Sequence, residues 1–307
     1  LLLIDGHYYA YRSFFAIRGL SNSDGQPTNA IFGFLKTVRR MLGDLGPDLA
    51  AVVWDEGIPE RRAQLQPEYK QQRAETPDEL VPQIGEIREL MPLLGIRSVG
   101  LPDTEADDLM ASYAVAARER GIGSVLATND KDLFQLVNGE VGVYSTAKAD
   151  VQGVDGEFTI LGRDQVVAKW GVEPERILDL LALTGDSVDN IAGVPGVGPK
   201  TAAKLVAAHG PVRELLENLD TVGNPKLRAK LAEARERIIA NLEMVRLDLD
   251  LPLPVPLDDL VIAPDWQPLI AAVDRFEFRT LGREIRAEAE AAGAGGAAAG
   301  PVQGELL

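Results

Sequence analysis

Three short apolar runs along the chain lead into aspartate: "LLLID" closes on Asp5, "LAAVVWD" on Asp55 and "SVLATND" on Asp130. Runs without alternation are expected of strands buried on both faces, as in parallel sheets. Between them the apolar spacing switches to the helical period. "AIFGFLKTVRRMLGDLG" (30–46) is amphipathic and stops at glycine. "TPDELVPQIGEIRELMPLLG" (76–95) predicts a helix capped by Thr76, with Pro77 first, Asp78 and Glu79 in its first turn, and distortion near Pro82 and Pro92. "TEADDLMASYAVAARERG" predicts the clearest helix, from a Thr104 cap to Gly121. Strands alternating with helices indicate an α/β domain around a mainly parallel sheet, whose sites form at the carboxyl ends of the strands. Asp5, Asp55 and Asp130 fall there.

From about residue 160 the strand signals fade, and helical patterns at 163–170, 174–184, 199–208, 211–218 and 225–244 predict a smaller helical subdomain. The proline-rich segment 250–260 reads as extended, and 266–286 as one or two final helices. The expected division is therefore 1–160, 161–286 and a flexible Ala/Gly linker at 287–307. A linker at that end, and a first residue other than Met, are what a fragment of a longer chain would show.

Composition narrows the chemistry. The 307 residues are 46% hydrophobic, enough for a sizeable core. The absence of cysteine excludes disulfides and thiolate metal sites, and two histidines are too few for a typical zinc enzyme. No apolar run reaches membrane-spanning length, so a cytoplasmic protein with no membrane partner is expected. A net charge of −16 argues against a nucleic-acid binder unless the acids are gathered in one place.

They are gathered. Asp5, Asp55 and Asp130 end strands, Asp132 lies two beyond Asp130, and Glu105, Asp107 and Asp108 fill the first turn of a helix. Asp186 and Asp189, in "LTGDSVDN", would share a face if that segment is helical. Any one of these has a structural alternative in a cap, a turn or the helix dipole. Together, at strand ends ~4.8 Å apart, they would repel strongly unless divalent cations compensate them. All-oxygen ligands select Mg²⁺ or Mn²⁺, and two such ions suit an in-line displacement at phosphorus. Setting the nine carboxylates aside still leaves a charge of −7, so nucleic-acid contact must rest on local basic patches and on the metals. Lys131, between Asp130 and Asp132, points toward a DNA phosphate in this reading.

A second constellation is "GVPGVGPKTAAKLV" (193–206). Gly196 and Gly198 permit a tight turn with exposed amides, and Lys200, Thr201 and Lys204 follow at a helix start, a phosphate-binding arrangement. Pro199 before Lys200 and the lack of a preceding strand exclude a Walker A loop and a dinucleotide fingerprint. The alternatives are a plain helix–helix turn and a helix–hairpin–helix gripping a DNA backbone, and the second fits better.

In chain order, "LLLIDGHYYAYRSFFA", "VVWD", "YKQQR", "EADDL", "TNDKDLFQL", "LTGDSVDNIAGVPGVGPKTAAKLV" and "NLE" resemble the 5′-nuclease (5′–3′ exonuclease, flap endonuclease-like) domain of bacterial DNA polymerase I. The resemblance runs from Leu1 to about Arg286. It implies a PIN-like (resolvase-like) α/β fold with flanking helices, a helical arch at about 56–95, and a C-terminal helical subdomain with its helix–hairpin–helix at 185–208. It implies cleavage of DNA flaps, nicks and 5′ ends by a monomer in the bacterial cytoplasm, with a polymerase domain following. The family's metal carboxylates correspond to Asp5, Asp55, Glu105, Asp107, Asp108, Asp130, Asp132, Asp186 and Asp189. Its arch residues near the scissile phosphate correspond to Lys70 and Arg73, and its hairpin residues to Gly196, Gly198, Lys200 and Thr201, where the family also binds a monovalent cation such as K⁺.

One stretch departs: where the family reads aromatic-Arg-His-Glu, this chain has Arg61-Arg62-Ala63-Gln64. Arg62 keeps the arginine and is expected at DNA. Tyr11 and Arg12, on the helix after the first strand, are candidates for contact near the 5′ end, with packing and surface exposure as the alternative. The rival readings are a non-catalytic DNA-structure-binding module, which would lack part of the carboxylate set, a free-standing 5′–3′ exonuclease, and an RNA-directed PIN nuclease, which would lack the 193–206 element.

Overall fold

A computed structural model describes residues 1–148, 150 and 157–293. The three aspartate-ended runs become β1 (Leu2–Asp5), β2 (Ala50–Trp54) and, after β3 (Arg97–Gly100), β4 (Ser124–Ala127). With β5 (Val141–Ser145) and β6 (Thr159–Leu161) they form one sheet in the order β3-β2-β1-β4-β5-β6. β1 lies parallel to β2 and β4, β4 is parallel to β5, and β6 runs antiparallel at the edge. Every residue of β1 and β2 is buried, which is why their sequences show no alternation. β3 and β6 left weak signals because both are short edge strands with half-exposed residues.

The helices in chain order are α1 (Gly6–Ala16), α2 (Asn29–Leu45), α3 (Glu60–Leu65), α4 (Val81–Leu93), α5 (Ala106–Glu119), α6 (Arg163–Trp170), α7 (Ile177–Thr184), α8 (Pro199–His209), α9 (Val212–Glu217), α10 (Pro225–Glu233), α11 (Arg235–Val245), α12 (Trp266–Arg275) and α13 (Arg279–Ala291). Among the described residues no helix is long and apolar enough to cross a membrane.

The chain forms two compact units. The first comprises residues 1–8, 47–76 and 99–260. Its core joins Leu3, Val53 and Leu126 of the sheet to Leu109 and Tyr113 of α5 and on to Leu181, Leu205, Leu215 and Ile238 of the helical stretch. A division at residue 160 would cut through this core. The second unit comprises, among the described residues, 9–46, 77–98 and 261–293. There α2 buries the stripe Ile31, Phe34, Leu35, Val38 and Met41. The buried Gln83 side chain accepts from Ala30 N (2.8 Å) and donates to Asn29 Oδ1 (3.1 Å), tying α4 to the start of α2.

Several local expectations change. α4 starts at Val81, not after Thr76: Leu80 and Val81 donate to Pro77 O, making a turn, and Pro82 enters the first helical turn, where its missing N–H costs nothing. The cap position of α5 is Glu105, while the Thr104 hydroxyl donates to Pro102 O (3.1 Å). The 225–244 pattern breaks at Ala234 into α10 and α11. The "LTGDSVDN" segment leaves the helix after Thr184: β7 (Gly185–Asp186) and β8 (Ile191–Ala192) form a small hairpin. Residues 287–291 belong to α13 and not to a linker, and residues 294–307 of the expected tail lie outside the described residues.

Candidate active site

β1 is flanked by β2 and β4, so the carboxyl ends of three adjacent parallel strands present Asp5, Asp55 and Asp130 together. Gly6, the first residue of α1, lets the chain pass close to Trp54. A Cβ at this position would lie 2.5 Å from the Trp54 ring, so no other residue fits without displacing the indole.

Asp5 Oδ1 accepts from Tyr8 N (2.9 Å) and Oδ2 from Thr128 Oγ1 (3.1 Å). Burial, then repulsion from Asp55, nevertheless push its carboxyl up to about 7. Asp55 goes the other way. Burial opposes its ionisation, but the His7 ring, whose Nδ1 stands 3.0 Å from Oδ2, and Ala106 N (3.0 Å) hold it at about 2. Asp107 is driven well above the ordinary carboxylate range by burial and by Asp130 and Asp5. Asp130 is raised by burial against a 2.7 Å bond from Asp132 N, and Asp132 is driven well up by burial and by Asp130. Asp107, Asp130 and Asp132 keep some contact with solvent, so the cost comes from dense packing beneath them and from one another. Asp132 opens a short 3₁₀ helix (Asp132–Leu136), anchored by buried Leu133 and Phe134.

The second group of acids is braced by cations. Asp189, in the β7–β8 turn, binds Arg73 Nη2 (2.6 Å), and Asp186 binds Lys131 Nζ (2.5 Å). Lys131 thus faces an aspartate of this site, which corrects its expected direction toward DNA. Glu105 receives Lys70 on Oε1 and Arg62 on Oε2, while the buried Tyr69 hydroxyl lies 3.2 Å from Glu105 and 3.3 Å from Asp189. Burial works against the Lys70 charge, but Glu105 and Asp189 outweigh it and raise its pKa. Lys70 also has a left-handed backbone (φ 58°), uncommon for a side-chain-bearing residue, with its N–H on Asp189 O (3.2 Å).

Two expected roles are overturned. Arg62 is 2% exposed and spends its guanidinium on Glu105, Asp108 and backbone carbonyls, so it does not face DNA. Asp108 is 0% exposed, with both oxygens on Arg62 and Oδ1 also on Asp248 N (2.9 Å), which removes it from the candidate metal ligands. Sequence reading also passed over His7, Tyr69 and Thr128. The first two stand inside "DGHYY" and "YKQQR", but only the fold shows what they touch.

Among the described residues no three acidic or histidine side chains form a preassembled cage for a metal. The donor chemistry nevertheless fits a hard divalent cation: oxygen-only, crowded and desolvated, with Asp132 Oδ1 buried and without a partner.

In the 193–206 loop Gly196 adopts φ 80° and Val197 N closes a turn on Val194 O (3.0 Å). α8 starts at Pro199 behind a Gly198 cap, with Thr201 half-buried and Lys200 and Lys204 exposed. Lys230 Nζ donates to Pro195 O (2.9 Å) and Arg237 Nη1 to Gly193 O (3.4 Å). Tyr11 and Arg12 belong to the second unit, Tyr11 beside Phe15 (6.4 Å between ring centroids) and Arg12 5.8 Å from the centre of the Tyr9 ring.

Residues 1–171 match the family model for the 5′-3′ exonuclease N-terminal resolvase-like domain, and residues 172–267 match the 5′-3′ exonuclease C-terminal SAM fold. The chain is 38% identical over 285 residues to the thermostable DNA polymerase I of Thermus thermophilus, covering 93% of this chain and 33% of that protein. It is 37% identical over 286 residues to a 5′-3′ exonuclease of Aquifex aeolicus, covering 93% of this chain and 94% of that protein. The chain therefore spans about a third of the polymerase it matches and nearly all of the exonuclease. Among solved structures it resembles bacteriophage T5 D15 flap endonuclease in a pseudo-enzyme-product complex with DNA and metal ions (TM-score 0.64, 22% identity, 94% of this chain and 98% of that one). It also resembles the catalytic core of Rad2 with DNA substrate (TM-score 0.60, 17% identity, 90% and 86% covered). At such identities these likenesses establish the fold, while the family models and the closer sequence relatives establish the lineage. The chain belongs to the 5′-3′ exonuclease family.

Proposed function

We propose that the chain is a divalent-metal-dependent 5′ nuclease that hydrolyses DNA phosphodiester bonds at 5′ ends, nicks and 5′ flaps, acting as a monomer in the replication and repair of bacterial DNA in the cytoplasm. The observation that carries this reading is the crowding of Asp5, Asp55, Asp107, Asp130 and Asp132 at one sheet edge, with the ammonium of Lys70 held beside them by Glu105 and Asp189. Those five aspartates, with Glu105, Asp186 and Asp189, would hold two Mg²⁺ or Mn²⁺ ions. Such ions would supply a nucleophile at neutral pH and charge stabilisation at the phosphoryl oxygens.

The rest is the work of the protein's own side chains. Thr128 and Tyr8 N orient Asp5, and His7 and Ala106 N orient Asp55. Lys70 and Arg73 act as electrostatic clamps on the charge that develops at the scissile phosphate. Gly196 to Lys204 grip duplex phosphates away from the cut, reading no sequence.

A 5′-labelled flap incubated with Mg²⁺, with EDTA, and with Asp130→Asn tests the reading. Mg²⁺-dependent cutting by the wild type, lost in the other two arms, is expected. Flap binding without cutting by the wild type would make the chain a DNA-structure-binding module instead.

A further inference from the structure

We propose that Arg62 is a positioning residue, which sets the ammonium of Lys70 by fixing the carboxylate of Glu105 that holds it. The inference rests on the nuclease reading above and adds to it a part outside the metal-facing acids.

The guanidinium fork has no idle donor. Nε donates to Met244 O (2.9 Å), Nη1 to Glu105 and Asp108, and Nη2 to Asp108 Oδ1 (2.9 Å) and Arg246 O (2.9 Å). One side chain of α3 thereby ties together the first turn of α5 and the chain leaving α11. Its neighbour Arg61 repeats the second attachment, binding Glu243 O, Arg246 O (3.1 Å) and Asp248 (3.3 Å). The double arginine that replaces an aromatic-arginine pair is thus a double clamp on one helix end.

Glu105 transmits the effect. Its Oε2 is taken by Arg62 and its Oε1 by Lys70, so the carboxylate is a rigid link between two cations. The Lys70 backbone is held by the bond from its N–H to Asp189 O, so the place of its ammonium, at the end of a flexible stem, depends on the carboxylates that receive it. Lysine at position 62 would keep the charge but could not span two carboxylates and two carbonyls with a planar fork.

Removing Arg62 alone would leave Glu105 and Asp108 buried and less compensated, a severe cost to folding. The test therefore compares Arg62→Ala/Asp108→Asn with Asp108→Asn, which relieves that charge. At saturating 5′-flap DNA the double variant is expected to cut about 10–100-fold more slowly than its reference in single turnover, with flap affinity measured without divalent ion unchanged. Guanidinium added to the double variant restores part of the rate. Without divalent ion, Lys70 is acylated faster by an amine reagent in the double variant, read by peptide mass spectrometry. Arg62→Lys, with its charge kept, is nearly as slow as the double variant. Equal rates in variant and reference, a wild-type rate in Arg62→Lys, or a loss of flap affinity that accounts for the slowing would each overturn the role of Arg62. A wild-type chain that does not cut at all overturns the nuclease reading and this inference with it.

Discussion

At the sheet edge, strand pairing forces acids together; along 193–237, loop and helix surfaces hold bases apart. The latter segment has eight Lys or Arg against five Asp or Glu, a net of +3 in a chain of −16, so the remainder carries −19. In the first region charge is concentrated by rigid backbone and its cost shows in the raised carboxyls of Asp5, Asp107, Asp130 and Asp132. In the second, Lys200 and Lys204 are exposed and the loop is held from behind by Lys230 and Arg237. A crowded site suits chemistry that must stabilise changing charge, and a spread one suits holding a polyanion without sequence preference. Total charge conceals this, because only its distribution says whether DNA can be held.

If the two regions divide chemistry from grip, variants should separate them. The largest effect is expected for Asp130→Asn: flap cleavage falls below detection while flap affinity in EDTA, read by fluorescence anisotropy, is not weakened. Weakened affinity would mean that the acidic edge also grips DNA. Lys70→Ala should slow single-turnover cleavage at saturating DNA by about 10²–10³-fold. Burst measurements that found only a higher DNA requirement would move Lys70 to the gripping side. Replacing Lys200 and Lys204 by alanine should weaken duplex affinity and lower the slope of log affinity against log salt by about 1.8, two phosphate contacts' worth. Cleavage at saturation should be unaffected; a collapse there would erase the division.

The smallest effect is on stability. Between the unfolded carboxylate pKa and about 7, folded Asp5 holds a proton that the unfolded chain has lost. Stability of the metal-free protein therefore falls as pH rises, by roughly 1 kcal/mol from pH 6 to pH 8 for this group alone. Asp55 adds no slope in that window, because its contribution is lost only as pH falls toward about 2. Melting curves in EDTA at the two pH values should show the drop, and Mg²⁺ should flatten it. A stability that rose across the window would remove Asp5 from the desolvated floor.

Burial on both faces leaves an apolar run that makes β1, β2 and β4 legible, and with them the strand-end aspartates; β5, with four of its five residues buried, is not legible in this way, because Gly142 interrupts a short run. Edge elements are not legible either. β3 and β6 are short and half-exposed, and the β7–β8 hairpin carries Asp186 and Asp189 in a segment whose spacing mimics a helix. The residue types of the site are legible in the sequence, but three roles are not, those of Lys131, Arg62 and Asp108. Arg62 and Asp108 look like a DNA contact and a metal ligand in the sequence, and both are buried in one ion-pair network in the fold.

By itself the sequence determined the α/β pattern, the inventory of acids at strand ends, the glycine loop and the family, because each depends on local spacing and residue chemistry. Tertiary structure alone decided which acids stay open to a cation and which are spent on arginine. It also decided that Lys70 meets Glu105 from 35 residues away and Asp189 from well over 100. Partners so distant in sequence are fixed by how helices pack on a sheet, and no local spacing encodes that distance.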